Sequence, residues 1–331
     1  MKRILLLNTW IRNIGNGFID KGAEVCVRNT IGDAEIIEVS GYPDRTGYYN
    51  NLGLMKQFLV GFGLKVQKKR RYYAINQQST VNISEFIDDI DLAILSGCIL
   101  DWSLLAYMLT LKKLRKRNIP LIFLGAGGAD YTDTAQNHIG KIINELQPTA
   151  LLTRDKKAYD LYSKYFKFAY NGIDCGFFIS EWYNPPESFK PFVVATFDAI
   201  KEPKLEVDLP IVRANHEPFN YSDMKNIILS STADLMRSSK KQNTLISDNI
   251  KDYLFIYANA KEVHSDRVHA CVAALSYGNK TKLYSKTPRA ALFNNVLNSD
   301  ITENMVSIDA EVLKQKKSNQ ISALREAIKT I

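Results

Sequence analysis

The sequence predicts an α/β protein whose two domains, each a parallel sheet covered by helices, face each other across a cleft. Short apolar runs alternate with amphipathic helical segments, a pattern typical of buried parallel strands. The chain has 331 residues, which is enough for two domains. Pro185 and Pro186 interrupt the alternation, and we expect a linker over residues 179–190 because consecutive prolines cannot lie inside a helix or a central strand.

The first domain is expected over residues 1–180. Its apolar runs predict strands at 4–7, 35–39, 91–95, 120–124 and 150–152. The amphipathic segments between them predict helices at 18–28, 104–117, 135–146 and 156–165. Residues 41–85 form an insertion, in which we expect a helix near 54–69.

The second domain is expected over residues 191–310. Its predicted strands are 192–196, 211–212, 252–257 and 282–284, and its predicted helices are 222–237 and 268–277. A further helix is predicted at 312–328, and we expect the segment 311–331 to pack back on the first domain.

The net charge of +8 indicates an anionic partner, such as a sugar nucleotide, a phosphoenol compound, a lipid phosphate, a membrane surface or nucleic acid. The densest basic segment is 65–73, which is either a solvated helix face or a contact with a membrane surface. No zinc-finger, RNP-type or homeodomain pattern accompanies it, so we do not expect nucleic-acid binding.

The cysteines and the hydropathy pattern predict a cytoplasmic protein. No apolar run approaches the ~18 residues of a membrane span, and the short N-terminal run leads into polar residues, as in a first strand. The four cysteines are scattered without a CxxC pair, which is typical of reduced, buried thiols. No HExxH motif occurs, and His264 and His269 do not share a helix face, so we expect no metal site.

The segment 264–278 contains the strongest candidate site. Ser265, Arg267 and His269 stand where a predicted strand meets a helix, with Asp266 as the expected N-cap. Backbone N–H groups are free at a helix start and the helix dipole favours negative charge there, so this segment could hold a phosphorylated substrate. The alternative is structural, with Arg267 solvated and His269 hydrogen-bonded in the core.

The other candidates also follow predicted strands. They are Asn13, Gly15 and Asn16 after the first strand, Gly97 after the third, Gly125 and Gly127 after the fourth, Arg154 after the fifth, and Lys286 and Arg289 after the last. In open parallel sheets, ligands bind beyond the carboxyl ends of the strands, and glycines and cations are residues that suit an anion there. Each motif could equally be a tight turn or a solvated loop.

These motifs, in this order, resemble the polysaccharide pyruvyl transferase family. The resemblance rests on Asn13 to Gly17, Ser96-Gly97, Pro120 to Gly128, Thr153-Arg154-Asp155, Asp174 to Phe178, and Ser265 to Ala270. It implies a GT-B-like fold of two Rossmann-like domains. It also implies transfer of pyruvate from phosphoenolpyruvate onto two hydroxyls of a sugar to form a ketal, with no cofactor besides that donor.

The resemblance places the family's Arg-x-His on Arg267 and His269. We expect His269 to act as general acid/base and Arg267 to hold an anionic group, because a neutral-range imidazole can move protons and a guanidinium can clamp phosphate or carboxylate. Arg154 would hold a second anionic group, with Lys286 or Arg289 assisting. The implied acceptor is a lipid-linked or cell-surface glycan.

Two other functions fit the same residues. One is a GT-B-like glycosyltransferase that uses a sugar nucleotide, which would need the same cleft and anion sites. The other is a non-catalytic binding protein that keeps the fold.

Overall fold

The computed structural model describes residues 1–9, 13–41, 81–188, 190–216 and 243–331. The predicted helices near 54–69 and at 222–237, and the basic segment 65–73, lie outside the described residues.

The first half of the chain forms a six-stranded parallel sheet in the order β2-β1-β3-β4-β5-β6. Its strands are β1 (Lys2–Asn8), β2 (Ala34–Ser40), β3 (Leu92–Cys98), β4 (Leu121–Gly127), β5 (Ala150–Thr153) and β6 (Phe168–Asn171). The predicted strands of this half are all present, and β6 is additional. That edge strand has four half-buried residues, so it carries only a weak hydrophobic signal.

Helices cover both faces of this sheet. They are α1 (Ile14–Thr30), α2 (Met108–Lys116), α3 (Asp133–Leu146), α4 (Lys156–Tyr162) and the short α5 (Ile179–Trp182). Side-chain caps at Asn13, Thr132 and Asp155 start α1, α3 and α4, because each accepts a hydrogen bond from a first-turn N–H. The cap at Asn13 makes α1 begin earlier than the apolar pattern predicts, and α5 occupies part of the expected linker.

The second half forms a five-stranded parallel sheet in the order β11-β10-β7-β8-β9. Its strands are β7 (Val193–Thr196), β8 (Ile211–Ala214), β9 (Thr244–Leu245), β10 (Glu262–Ser265) and β11 (Lys280–Leu283). Its helices are α6 (Ile250–Asn259) and α7 (Val268–Ser276), and a 3-10 helix spans Pro288–Asn295. The predicted α/β class with parallel sheets is therefore correct for both halves.

The predicted strand at 252–257 is wrong, because these residues lie inside α6. The side chain of Asn249 accepts a hydrogen bond from the N–H of Lys251 and starts the helix. Buried residues then recur at helical spacing through Ile250, Tyr253, Leu254 and Tyr257. A short apolar run satisfies either period, and the strand before α7 is instead β10.

The last helix, α8 (Ala310–Lys329), packs against α1 of the first half. The buried Gln320 side chain donates to the carbonyl of Ile173 at 2.9 Å and accepts from its N–H at 2.8 Å. Lys317 forms an ion pair with Glu181 at 2.8 Å. Among the described residues, no helix is both long and apolar enough to cross a bilayer.

The strand order reverses once in each sheet. In the first sheet this occurs between β1 and β3, and in the second between β7 and β10. Loops leaving neighbouring strands at such a point diverge and open a crevice, where ligands of open α/β sheets bind. The N-terminus of α1, which follows β1, lies against the N-terminus of α7, which follows β10. The two crevices thus share one location.

Candidate active site

The turn between β10 and α7 is held by hydrogen bonds to the loop that follows β7. The Asp266 carboxylate accepts from the N–H groups of Asp198, Ala199 and Ile200 at 3.2, 2.6 and 2.8 Å. Asp266 is therefore not the N-cap that the sequence predicts, and its carboxylate instead ties the β7 loop to the β10 loop. Arg267 occupies the N-cap position, and its side chain makes no capping hydrogen bond to α7.

Arg154, Asp174 and His269 form a buried group at the boundary of the two halves. The Asp174 carboxylate accepts from Arg154 Nη1 at 2.8 Å and lies 3.4 Å from His269 Nε2. The side chains of Arg154 and Asp174 are 1% and 0% exposed. The other Asp174 oxygen accepts from the N–H of Gly176, which fixes the carboxylate within its loop. His269 thus faces an anchored carboxylate.

The pKa values of this group follow from burial and from the pairing. Burial by itself would raise the pKa of Asp174, but His269 and Arg154 hold it well below its usual range. Burial lowers the pKa of His269, and the opposing effect of Asp174 does not fully compensate. In the ligand-free protein His269 is therefore a neutral imidazole at neutral pH, and the ion pair with Arg154 keeps Asp174 ionised.

Arg154 retains hydrogen-bonding capacity that the protein does not use. Its Nε and Nη2 atoms are buried and have no hydrogen-bond partner among the described residues, and the same is true of Arg289 Nε. The charges of both arginines act on His269 and on the thiol of Cys98, so the guanidinium groups lie around one location. Buried N–H groups without partners are costly, and an anionic ligand would satisfy them.

A second group consists of Arg267, Asp198 and His216. Arg267 Nε donates to Asp198 Oδ2 at 3.0 Å, and the same carboxylate oxygen accepts from the backbone N–H of His216 at 3.0 Å. The Arg267 side chain is 13% exposed. The charges of Arg267 and His269 both act on the His216 ring, so this group borders the first.

The start of α1 separates the two imidazoles. The Asn13 side chain accepts from the N–H of Gly15 at 3.0 Å. A Cβ atom at Gly15 would lie 2.9 Å from the Cβ of His269 and 3.4 Å from Nδ1 of His216. A side chain at this position would therefore crowd both rings, which explains the glycine. Asn16 donates to the carbonyl of Thr9 and so holds the loop that leads into the helix.

The remaining sequence candidates have structural roles or are exposed. Gly125 has φ +57° and packs against Cys175, and Gly97 has φ +89° and packs against Ile19. Gly127 lies directly against the Arg154 guanidinium, so it gives that side chain its space. The Ser265 hydroxyl is used in the turn before α7, where it accepts from the N–H of Arg267 at 2.8 Å. Lys286 is exposed.

Sequence reasoning gave no site role to three residues of this site: Asp174, which it names only within a family motif, Asp198 and His216. Asp174 precedes a 3-10 turn (Cys175–Phe178) and reads as a simple cap. His216 follows a strand that has only four residues, and no motif surrounds it. Among the described residues, no group of three or more His, Cys, Asp or Glu side chains is arranged to hold a metal ion.

Comparisons with known proteins agree with this architecture. A putative UDP-N-acetylglucosamine 2-epimerase from Listeria monocytogenes aligns with a TM-score of 0.50 and 9% identity, over 99% of this chain and 90% of that one. S. aureus MnaA with UDP aligns with a TM-score of 0.48 and 12% identity, over 99% and 91%. At such identities the likeness shows the fold alone, which is GT-B-like.

Sequence comparison identifies the family. No curated protein sequence matches the chain. The family model described as polysaccharide pyruvyl transferase matches residues 13–279, from the Asn13 cap to the residue after Gly278. That range includes both Arg–Asp–His groups and the turns that hold them. The chain is therefore a transferase that belongs to the polysaccharide pyruvyl transferase family.

Proposed function

We propose that this protein transfers the pyruvyl group of phosphoenolpyruvate onto two hydroxyls of a glycan, forming a cyclic ketal and releasing phosphate. One observation carries the proposal. The buried guanidinium of Arg154 has two nitrogens, Nε and Nη2, without a partner in the part of the chain that the structure describes, and it lies beside His269, which faces the ionised Asp174. An anion clamp and a proton-transfer group therefore occupy one location.

The donor carries a carboxylate and a phosphate, and the site offers guanidinium groups from both halves of the chain. Arg154 and Arg289 each have a buried N–H without a partner among the described residues, and the charge of Arg267 acts on the neighbouring His216 ring. Guanidinium groups bind both kinds of oxyanion through charge-assisted hydrogen bonds. The aspartates that pair with two of these arginines hold them in place before the ligand arrives.

The reaction requires that protons move in balance with the new bonds. An acceptor hydroxyl oxygen bonds to C2 of the enol and loses its proton, and the methylene carbon C3 gains one. The bond between C2 and the phosphate oxygen breaks, the second hydroxyl oxygen bonds to C2, and the proton of that hydroxyl goes to the departing phosphate. We assign proton transfer to His269, because an imidazole can take up a hydroxyl proton and return it.

Asp174 would support both states of that imidazole. It holds the ring in position while the ring is neutral and stabilises the imidazolium once a proton has been taken up, as a carboxylate beside a catalytic histidine does. A bound anion adds negative charge and so favours the protonated state further. The neutral imidazole of the ligand-free site would therefore start as the base.

The glycan acceptor is the second part of the proposal. A lipid-linked or cell-surface glycan, made on the cytoplasmic side of the membrane, agrees with family membership. Contact with an anionic membrane surface through residues 65–73 would bring the enzyme to such an acceptor, and this contact remains a prediction.

Mass spectrometry of a pool of glycan acceptors after incubation with phosphoenolpyruvate tests the function. We expect acceptor ions that gain one pyruvyl ketal, together with release of an equal amount of phosphate, and neither product with the His269→Ala variant. Transfer from a UDP- or CMP-sugar without any transfer from phosphoenolpyruvate would contradict the proposal and favour a glycosyltransferase. Binding without transfer from either donor would favour a non-catalytic protein.

A further inference from the structure

His216 is the second imidazole of the site, and one nitrogen of its ring is hydrogen-bonded. The residue is 3% exposed. Its Nε2 atom lies 2.6 Å from the hydroxyl of Tyr257, and that hydroxyl lies 3.0 Å from Oγ1 of Thr196. Phe18 and Tyr253 pack edge-on against the ring. Its other nitrogen, Nδ1, is buried and has no hydrogen-bond partner among the described residues.

The hydrogens along the chain from Thr196 through Tyr257 to His216 can be counted, and the count indicates the tautomer of the His216 ring. Tyr257 is a protonated phenol, because burial raises its pKa well above its usual value. If its hydroxyl donated to Thr196, the buried threonine hydroxyl hydrogen would have no acceptor among the described residues. If Thr196 instead donates to Tyr257 and Tyr257 donates to Nε2, the one hydrogen without an acceptor is the ring N–H at Nδ1. An unsatisfied buried donor is costly, and Nδ1 borders the site, where a ligand can accept from it, whereas the Thr196 side chain is fully buried. Ligand binding therefore favours the second arrangement, with the ring hydrogen on Nδ1.

Nδ1 faces the same location as the catalytic candidates. A Cβ atom placed on Gly15 would lie 3.4 Å from Nδ1 of His216 and 2.9 Å from the Cβ of His269. The positive end of the α1 dipole and the charge of Arg267 act there, so a bound group at this position would be an anion. A histidine with a purely structural role gains nothing from a buried N–H without a partner.

We propose that His216 is a substrate-binding residue whose Nδ1–H donates a hydrogen bond to an oxyanion of the bound donor, with Tyr257 and Thr196 fixing the donor tautomer. This inference rests on the proposed function for the identity of the anion. The ring remains neutral in this role, because burial and the charge of Arg267 lower its pKa well below the usual value. It thus contributes a directed hydrogen bond without adding charge.

Two variants separate this role from packing. In His216→Asn the side-chain amide can donate from about the position of Nδ1, whereas His216→Leu fills similar space and donates nothing. By calorimetry with phosphoenolpyruvate, we expect His216→Leu to bind about 10-fold or more weakly and His216→Asn to bind within about 3-fold of the parent, since the lost bond is charge-assisted. Equal affinity of His216→Leu and the parent, or equal loss in both variants, would overturn the proposal.

The two halves of the donor identify which oxyanion His216 binds. Inorganic phosphate and pyruvate are titrated separately into the parent and His216→Leu. We expect the variant to lose affinity for one of the two and to keep its affinity for the other. Unchanged affinity for both probes would contradict an oxyanion contact.

Nitrogen NMR of the parent protein gives a test that requires no folded variant. The chain has four histidines, so the spectrum is small enough to assign. We expect His216 to carry its hydrogen on Nδ1 and its resonance to shift when phosphoenolpyruvate is added. A hydrogen on Nε2 would overturn the tautomer and the proposal with it. If phosphoenolpyruvate binds through His216 but no ketal forms, the proposed function fails while this inference holds.

Discussion

Each half of the site combines an arginine, an aspartate and a histidine, but the carboxylate acts differently in the two. In the first, Asp174 contacts the imidazole ring of His269 and pairs with the fully buried Arg154. In the second, Asp198 pairs with the more exposed Arg267 and accepts from the backbone N–H of His216, whose ring contacts the phenol of Tyr257.

This difference assigns the two imidazoles different chemistry. A ring that faces a carboxylate can accept a proton at little cost, because the imidazolium gains an ion pair. A ring that faces a neutral phenol and a nearby cation resists protonation and can only donate or accept a hydrogen bond. The same residue type therefore suits proton transfer at position 269 and substrate binding at position 216.

Replacement of His269 should have the largest effect. We expect His269→Ala to lower the rate of transfer by about 10²- to 10⁴-fold, the usual contribution of a general acid/base, while phosphoenolpyruvate binding changes only a few-fold. Steady-state kinetics and calorimetry measure the two effects. His264→Gln is the matched control, since His264 contacts Tyr284 outside both groups. A transfer rate within a few-fold of the parent for His269→Ala would remove the distinction between the two imidazoles.

Removal of the carboxylate of Asp174 or Asp198 should mainly affect the stability of the protein. Asp174→Ala leaves the buried Arg154 guanidinium without its partner, and we expect a loss of about 3–5 kcal/mol in the free energy of unfolding. Asp198→Ala should cost less, because Arg267 is partly exposed and also contacts Asp266. Urea denaturation measures both. An equal loss in the two variants would show that the difference in burial does not matter.

The pH dependence of stability should separate the two imidazoles further. Both rings have a lowered pKa, so below the unfolded value of about 6.5 the unfolded chain binds more protons than the folded one. Stability is therefore complete above that pH and is lost as the pH falls toward the folded pKa values.

Of the two, His216 should contribute more of this loss, because no carboxylate among the described residues opposes the effect of burial on its ring. We expect His216→Asn to reduce the difference in the free energy of unfolding between pH 7.5 and 5.5, because the variant removes a group that binds a proton more readily in the unfolded chain. His269→Asn should reduce it by less. Chemical denaturation at the two pH values measures this, and the reverse order of the two variants would contradict it.

A substitution at Gly15 tests whether the rings of His216 and His269 border the same space. Gly15→Ala would place a methyl group 2.9 Å from the Cβ of His269, and we expect it to cost about 1–3 kcal/mol of stability and to weaken phosphoenolpyruvate binding. Gly32→Ala is the matched control, because a Cβ there meets no atom within 4 Å. Thermal denaturation and calorimetry compare the two variants. Similar behaviour of both would mean that the start of α1 does not separate the rings.

The smallest effect is expected at Lys286, which the sequence offers as an anion-binding residue. It is exposed, so we expect Lys286→Ala to change stability by less than about 0.5 kcal/mol and transfer by less than a few-fold. Arg289→Ala should weaken donor binding more, because Arg289 Nε is buried and without a partner among the described residues. Equal effects on phosphoenolpyruvate affinity would show that burial does not distinguish these two cations.

Most of the first sheet could be predicted from sequence, because strands with long buried stretches, such as β1 and β4, leave continuous apolar runs. The strands of the second sheet were harder to predict from sequence. The segment 252–257 carries an apolar run but forms a helix, whereas the four-residue strand β10 contains a histidine and a glutamate and has no clear pattern. In short elements, packing against neighbours decides what the local sequence leaves open.

The residues of the site likewise divide into those that could be predicted from sequence and those that could not. Arg267 and His269 could be found because they belong to one short motif at a helix start. Asp174 stands 95 positions from His269, and His216 stands 41 positions from Tyr257, so no local pattern links these partners. Contacts of this kind form only when separate strand ends meet.

The sequence by itself determined the α/β class, most strand positions, the family and the arginine–histidine motif, because hydrophobic periodicity and short motifs are local properties of the chain. The tertiary structure alone decided that Arg154 is buried against Asp174, that Asp266 ties two loops instead of capping a helix, and that His216 faces the same space as His269. These features depend on two strand-order reversals that lie against each other, so their physical cause is the packing of residues that are distant in the chain.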